Sequence, residues 1–311
     1  AAMEVPMTQA AVPKPRLNLR QQEARDGFLM LLPGILLIFV ITLIPVLYTF
    51  ILSFTDTPLS NPRPQNFTGL QNYIAFLKEP LFWQTIWRTF YFTVVSVGIE
   101  LVLGLAIATL LHSRPPGWKF LRTSLIIPWA VPTIVNGALW RWIYNADYGA
   151  LNGLLLSLGI ITKYQTWLTQ PGLAMNLVIV ADVWHSMPFV ILILSAALAT
   201  IPTDLEEAAA VDGATAWQRF WLIRMPLLKP AILVALVIRT VEAFRVFDII
   251  YVITQGGPAF RTVTISYLTY LESFSYGKLG SGSALSFLIS LFTLAMALVY
   301  IRLLYRPEGR Q

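Results

Sequence analysis

The sequence has no cysteine and only two histidines, His112 and His185. Without cysteine the chain has no disulfide, no thiol nucleophile and no zinc-finger or iron–sulfur site. Neither histidine belongs to an H-E-x-x-H zinc motif, and Gly277-Lys278 is followed by leucine where a phosphate-binding loop needs serine or threonine. We therefore expect a non-catalytic chain with no cofactor of its own, and any ATP and Mg²⁺ should bind to a different protein.

Charged residues are also scarce. They make up 12% of the sequence, against about 25% in an average soluble domain. Hydrophobic residues make up 56% of it, and the mean hydropathy is +0.65. This composition predicts a polytopic membrane protein. The net charge of +6 is typical of cytoplasmic loops in such a protein, so it gives no reason to expect nucleic-acid binding.

Long apolar segments predict an all-α protein with six transmembrane helices, because a bilayer core needs about 20 apolar residues per helix. The predicted spans are residues 28–54, 84–111, 120–145, 171–200, 231–254 and 281–305. Residues 1–27 form a polar N-terminal tail and residues 306–311 a short C-terminal one. The loop at 55–83 should contain a short amphipathic helix along the surface.

Basic residues predict the orientation in the membrane, because cytoplasmic loops are enriched in them. Thirteen lie on one alternating set of loops and seven on the other. The larger set is Lys14, Arg16, Arg20, Arg25, Arg114, Lys119, Arg122, Arg219, Arg224, Lys229, Arg302, Arg306 and Arg310; the smaller is Arg63, Lys78, Arg88, Arg141, Lys163, Arg261 and Lys278. Both termini and the loop between spans 4 and 5 are therefore predicted to be cytoplasmic.

The loop between spans 4 and 5 carries its own helix signals. Thr203 with Glu206 and Thr215 with Gln218 are potential capping boxes, and Gly213 can end a helix in a left-handed conformation. The pattern predicts a helix, a glycine turn and a second helix. One side of the second helix is expected to carry Trp217, Phe220, Trp221 and Arg224. An amphipathic element held between two spans is typical of a surface that docks on a partner.

This loop resembles the EAA loop of the membrane subunits of binding-protein-dependent ABC importers. The matching residues are Glu207-Ala208-Ala209, Asp212-Gly213-Ala214, Phe220, Ile223 and Pro226, with Met225 in place of the usual leucine. We call residues 203–230 the EAA segment. The resemblance implies a type I importer permease fold and a coupling helix that docks in a cleft of the ATPase subunit. The implied coupling residues are Glu207, Ala208, Ala209, Asp212, Gly213, Trp217, Phe220 and Trp221.

The resemblance also implies partners and a location. We expect two ATPase subunits carrying ATP and Mg²⁺, a second permease in a heterodimer, an external sugar-binding protein and membrane lipid, all at the bacterial cytoplasmic membrane. Residues 120–145 and 244–258 resemble disaccharide importers of the maltose and trehalose type, whereas glycerol-phosphate importers share the same framework. A sugar such as trehalose or maltose is the expected solute.

Polar residues within the spans are candidates for the solute path, because they usually face a bundle interior or a cavity. Span 4 places Asp182, His185, Ser186 and Phe189 on one helical face, and span 5 contains the i, i+3 pairs Arg239–Glu242 and Arg245–Asp248. Two interpretations stay open: a path that hydrogen-bonds a polyhydroxyl solute, and structural ion pairs between helices or with the partner permease. Phe189, Trp184 or Phe244 are candidates for stacking on a sugar face.

Two further intramembrane residues have less specific interpretations. Glu100 in span 2 is either a cavity residue or the partner of a basic group, and Asn136 in span 3 is expected to donate a hydrogen bond between helices. The main alternative function is a stand-alone secondary transporter or channel. It would account for the six spans and the buried charges, but it would leave the EAA segment without a role.

Overall fold

The computed structural model describes residues 19–304. Within this range the chain is helical with no β-strand, which confirms the predicted all-α class. The long helices are α1 Leu19–Leu52, α3 Pro80–His112, α7 Pro171–Leu198, α10 Met225–Phe244 and α13 Leu279–Leu304. The short ones are α2 Gln71–Lys78, α4 Trp118–Ala130, α5 Thr133–Ile143, α6 Ala150–Ser157, α8 Thr203–Val211, α9 Ala216–Arg219, α11 Asp248–Ile253 and α12 Ile265–Tyr270. Lys14, Arg16, Arg306 and Arg310 lie outside the described residues.

Five helices of the described range are long and apolar enough to cross a bilayer. They are Gln22–Leu52, Pro80–His112, Pro171–Leu198, Ala216–Phe244 and Leu279–Tyr300. A sixth crossing results if the bent pair α4 and α5 is counted as one span. The prediction of six apolar spans agrees with this count.

Helix α1 forms a unit by itself. It starts at Leu19, ahead of the predicted span start at residue 28, and it continues through two internal prolines, Pro33 and Pro45. Thr49 Oγ1 donates to the Pro45 carbonyl at 2.8 Å. The 18-residue windows of α1 are strongly apolar, with a mean hydropathy of 2.8 at their highest.

Helices α3 and α7 form the centre of the remaining unit and run in the same direction. A Cβ at Gly104 would lie only 2.7 Å from Val190 Cγ1, so glycine permits the close approach of the two helices. Ala108 and Leu228 join Val190 in one buried cluster at the end where α3 and α7 finish and α10 begins. The EAA segment, which follows α7, lies at this end of the bundle.

The third predicted span is broken, so the expectation of one continuous helix over 120–145 is wrong. Helices α4 and α5 are bent by 99°. Between them Val131 is extended, with φ −78° and ψ 130°. This follows from Pro132, because a residue before proline is disfavoured in the α conformation. Pro132 also has no N–H to donate to the carbonyl of Pro128.

The boundaries predicted for the fifth span, 231–254, are also wrong. The helix starts earlier, because α9 continues through a π-helical turn, Phe220–Arg224, into α10. It ends at Phe244, and α11 resumes at Asp248. At the interruption Thr264 Oγ1 donates to the Val246 carbonyl at 3.0 Å. A side chain from a distant segment thus satisfies a backbone group that a continuous helix would have paired.

The predicted surface helix in the first loop is present as α2. Asn72 Nδ2 donates to the carbonyls of Ser53 and Thr55 at 2.9 and 3.0 Å, and Tyr73 Oη donates to Ser53 Oγ at 2.7 Å. These bonds hold α2 against the start of the loop, and Phe76 turns its ring into the core.

Candidate functional site

A cavity of about 390 Å³ lies where the two helix interruptions face α7. Residues of the α4–α5 break, of α7 and of the α10–α11 break all line it. Interrupted helices at membrane depth are tolerated where they border a cavity, because water or solute can satisfy the freed backbone groups. The breaks that the sequence did not reveal therefore build this site.

One arginine gathers three carboxylates at the wall of the cavity. Arg239 donates to Glu100 from Nε at 2.7 Å and from Nη2 at 3.0 Å. Its Nη1 lies 2.7 Å from Glu242 Oε2, and its Nη2 lies 3.4 Å from Asp182 Oδ2. The Glu100 side chain is fully buried, whereas that of Glu242 is 56% exposed to the cavity side. The cluster carries one positive and three potential negative charges.

Most of these residues both form ion pairs and line the cavity. The predicted Arg239–Glu242 pair forms, and Glu100 is the partner of Arg239. Asp182, Arg239 and Glu242 also line the cavity, whereas Glu100 lies behind Arg239. The structure therefore places an ion-pair network inside the wall and presents its outer members to the space.

His185 ties α7 to the break in α4. Its Nδ1 lies 2.9 Å from the Pro128 carbonyl oxygen. A carbonyl oxygen only accepts, so Nδ1 carries the proton of this bond and donates. The carbonyl is the one that loses a helical donor at Pro132. This bond fixes the ring with its Nε2 side available to the cavity that His185 lines.

The second predicted pair, Arg245–Asp248, does not form among the described contacts. Arg245 follows the last residue of α10, so the two residues do not share a helix and lose the i, i+3 geometry. Asp248 instead accepts from Thr133 Oγ1 at 2.9 Å. This bond joins the starts of α5 and α11, and the side chains of all three residues remain exposed at the cavity.

The aromatic residues at the cavity differ from those expected. Phe189 does not line it but packs on Trp129, with ring centroids 6.1 Å apart. Trp184 packs on Trp140 at 5.9 Å, and Phe244 is buried. Trp129 and Phe247 line the cavity instead, both beside a helix break. Pro128 and Pro132 were the only signal in the sequence that pointed to this region.

Asn136 donates the hydrogen bond between helices that the sequence predicted for it. Its Nδ2 donates to the Ala181 carbonyl at 3.3 Å, which joins α5 to α7. Its Oδ1 is buried without a hydrogen-bond partner in the described structure. Asn136 and Ser186 both line the cavity, so they add neutral polar groups to its charged wall.

The EAA segment folds as helix, turn and helix. Gly213 has φ +81°, the left-handed conformation predicted for it. Thr215 and Gln218 form the predicted capping box, with the Thr215 N–H donating to Gln218 Oε1 at 2.8 Å and the Gln218 N–H donating to Thr215 Oγ1 at 3.3 Å. Ala214 N–H donates to the Ala209 carbonyl, which closes the end of α8.

The other predicted capping box, Thr203 with Glu206, is wrong. Pro202 precedes the first residue of α8, and no side chain of the described residues caps that end. Glu206 is instead paired with Arg224, since Arg224 Nε and Nη2 each lie 2.6 Å from one of its carboxylate oxygens. The hydrogen bonds from Arg224 lower the pKa of the Glu206 carboxyl. A bidentate pair with a charged partner is stronger than a cap to the backbone.

Exposed groups on the EAA segment surround this pair. Glu207, Ala208, Asp212 and Gly213 are exposed, and Ala209 is half-buried. Trp217 is 70% exposed and Trp221 47%. Their rings pack edge to face with centroids 5.6 Å apart, and Phe220 contacts both. An aromatic cluster this exposed is typical of a surface that contacts a partner.

Residues 100–306 match the protein family described as the binding-protein-dependent transport system inner membrane component. The chain belongs to this family. The match confirms the resemblance found in the EAA segment. This permease is a multi-pass protein of the cytoplasmic membrane and a non-catalytic transport subunit.

Three relatives are similar to this permease over nearly its whole length. The trehalose/maltose transport system permease protein MalF of Thermococcus litoralis is 42% identical over 286 residues, which cover 92% of this chain and 95% of the relative. The trehalose transport system permease protein SugA of Mycobacterium tuberculosis is 38% identical, covering 93% and 91%. The sulfoquinovosyl glycerol transport system permease protein SmoG of Agrobacterium fabrum is 36% identical, covering 89% of each.

A solved structure shares the fold. A chain of a bacterial ABC transporter that imports the acidic polysaccharide alginate has a TM-score of 0.81, with 22% identity, and the match covers 94% of this chain and 99% of the other. At this identity the likeness concerns the arrangement of the helices, and it supports the importer permease fold predicted from the EAA segment.

Proposed function

We propose that this permease moves a neutral disaccharide of the trehalose or maltose type across the cytoplasmic membrane, driven by ATPase subunits that dock on the EAA segment. The solute class is supported by the relatives MalF and SugA, whose names specify trehalose/maltose and trehalose transport. The name of SmoG specifies a different solute, sulfoquinovosyl glycerol. The observation that carries the proposal is the polar cavity at two helix breaks, together with an exposed aromatic cluster on the EAA segment of the same chain.

The cavity has the properties of a sugar path. Its volume of about 390 Å³ falls within the range of about 300–1,000 Å³ typical of small-molecule sites. Carboxylates, guanidinium groups and the His185 ring supply donors and acceptors for hydroxyl groups. Trp129 and Phe247 supply apolar ring faces beside them. This combination suits a polyhydroxyl solute, whose rings have polar edges and apolar faces.

The charge of the cavity favours a neutral solute over an anionic one. Three carboxylates, Asp182, Glu242 and Asp248, line it against two arginines, Arg239 and Arg245, an excess of one carboxylate. Glu100 adds a further carboxyl group behind Arg239. Like charges at close range repel in a low-dielectric site. An acidic polysaccharide such as that named for the alginate importer would meet this repulsion.

The EAA segment supplies the link to ATP. We propose that Glu207 pairs with an arginine of the ATPase subunit, while Trp217, Phe220 and Trp221 fill an apolar cleft there. Closure of two ATPase subunits would then move the segment and rock the helices around the cavity as rigid bodies. In this account the segment and both termini face the cytoplasm. A second permease completes the path, and an external binding protein delivers the sugar.

The solute assignment is tested with the assembled transporter in lipid nanodiscs, including its binding protein. Trehalose and maltose should stimulate ATP hydrolysis, and an alginate oligosaccharide should not. Stimulation by the acidic oligosaccharide alone would overturn the neutral-sugar assignment. Recovery of this chain from gentle detergent as a lone homo-oligomer without ATPase subunits would favour a stand-alone transporter, a function that leaves the exposed aromatic cluster unexplained.

A further inference from the structure

A second pocket, of about 210 Å³, lies away from the central cavity, at the end of the bundle that carries the EAA segment. Its walls come from the end of α3, the turn that follows, the start of α4 and the last turns of α7. The polar lining residues are His112, Arg114, Trp118, Arg122 and Ser195. Neither the solute path nor the docking surface makes use of them.

The polar side of the pocket is basic and lacks a counter-charge. No acidic residue lines it, and neither Arg114 nor Arg122 forms a salt bridge with any described residue. This differs from Arg224 and Arg239, which both have carboxylate partners. Glu206 is close enough to His112 for an electrostatic interaction, but Arg224 already pairs with its carboxylate.

Ser195 independently indicates that this pocket binds a polar ligand. Its Oγ is buried and has no hydrogen-bond partner among residues 19–304, although serines in helices readily bond a carbonyl one turn back. An unsatisfied buried hydroxyl costs about 1–3 kcal/mol. A ligand oxygen in the pocket that Ser195 lines would remove this penalty.

The backbone at Arg114 points the same way. This residue has φ +50°, just after the end of α3. A glycine normally takes this position, because a side chain there meets the backbone. An arginine in this conformation destabilises the turn slightly. The Arg114 side chain lines the pocket, so binding a ligand there would offset this cost.

The other walls are apolar. Ala108, Leu111, Leu192, Ala196 and Ala199 complete the lining. The apolar helices α3 and α7 both end at this level. Trp118 begins α4 there, and tryptophan is enriched at membrane interfaces. A ligand that fits must carry an anionic group beside an apolar body. Inorganic phosphate has only the first of these, whereas an anionic phospholipid has both.

We propose that this pocket binds the phosphate of an anionic phospholipid headgroup, with the glycerol and upper acyl chains against the apolar wall. Arg114 and Arg122 would neutralise the phosphate, and His112 and Ser195 would donate hydrogen bonds to it. Basic pockets between transmembrane helices are known to hold such headgroups. The site would tie a lipid to the turn between α3 and α4, next to the Glu206–Arg224 pair.

The test uses the intact transporter, purified from membranes and exchanged into nanodiscs of phosphatidylcholine with added phosphatidylglycerol. Native mass spectrometry then counts the phosphatidylglycerol molecules retained. The double variant Arg114→Gln/Arg122→Gln should retain one fewer per copy of this chain than the wild type. Lys119→Gln removes a charge from the first turn of α4 at a residue that does not line the pocket, and it should retain the wild-type number.

Equal retention by the double variant and the wild type would overturn the proposal, as would equal losses in the double variant and Lys119→Gln. An Arg114→Lys/Arg122→Lys variant keeps both charges and should keep the lipid, even if the glutamine variant assembles poorly. A parallel titration with inorganic phosphate separates the two sources of a phosphate group. If phosphate binds at the pocket and phosphatidylglycerol is not retained, the ligand comes from solution and the lipid assignment is wrong.

Discussion

Arg224 donates two hydrogen bonds to the Glu206 carboxylate, both 2.6 Å long, across the turn at Gly213. The two residues are 18 positions apart and belong to different arms of the EAA segment. Both side chains are largely shielded, at 21% and 18% exposure. The pair therefore fixes the angle between α8 and the helix that leads into α10. It holds α8 and the helix that leads into α10 together as one body.

Breaking this pair should uncouple ATP hydrolysis from transport. In Arg224→Gln, α8 loses its connection to α10, so motion of α8 no longer moves the span. We expect several-fold less sugar imported per ATP hydrolysed, measured in proteoliposomes. Asp204→Asn is the matched control, because Asp204 is an exposed acid on α8 with no contact to Arg224. A similar loss in both variants would show that general charge on α8, and not the pair, matters.

The pair should also respond to acid. Arg224 holds the pKa of Glu206 below its ordinary value, which is about 4.3. A lowered carboxyl pKa contributes stability that is fully present above the ordinary pKa and is lost as the pH falls through the lowered one. The difference in melting temperature between wild type and Glu206→Gln should therefore be present at pH 7 and shrink below about pH 4. A difference that stays constant over this range would contradict the pairing.

Gly213 should tolerate substitution according to backbone preference and not according to size. A Cβ at this position would meet no atom within 4 Å, so space is available, but φ is +81°. A left-handed conformation costs most residues about 1–2 kcal/mol, and asparagine less. Coupled transport should therefore be reduced least in Gly213→Asn, more in Gly213→Ala and most in Gly213→Val. If Gly213→Val matched Gly213→Asn in uptake assays, the turn would not require this conformation.

Arg239 should be the residue of the cavity wall on which stability depends most. Its removal leaves Glu100 buried without a partner, and an uncompensated buried charge costs about 3–5 kcal/mol. We expect Arg239→Gln to lower the melting temperature of the purified complex sharply. Glu242→Gln should cost less than about 1 kcal/mol, because the Glu242 side chain is mostly exposed. Equal melting temperatures for both variants would contradict the network.

The contrast between these sites shows what the sequence could predict. The Thr215–Gln218 box, the left-handed Gly213 and the Arg239–Glu242 pair are local, so spacing along one helix or turn was enough to find them. Glu100 meets Arg239 across 139 positions, and Glu206 prefers Arg224 to a local cap. Such partners depend on how helices pack, and periodicity carries no information about that.

The helix breaks show the same limit. Pro132 alone does not predict the break near residue 131, because a proline within a span is also compatible with a continuous helix, as at Pro33 and Pro45 in α1. The break after Phe244 has no proline or glycine beside it, and hydrogen bonds from Thr264 and Thr133 accompany it. The cavity lies at these two breaks, so its aromatic lining residues, Trp129 and Phe247, could not be predicted from the sequence either.

The most direct test of the account is sugar-stimulated ATP hydrolysis by the assembled transporter in proteoliposomes, compared between the wild type, Glu207→Ala and Asp204→Asn. Glu207 is exposed and makes no described hydrogen bond within the chain, so its loss should not affect folding. We expect Glu207→Ala to assemble but to lose most of its sugar stimulation and uptake, while Asp204→Asn keeps both. Undiminished stimulation and uptake in Glu207→Ala would contradict the claim that the EAA segment couples this permease to ATP.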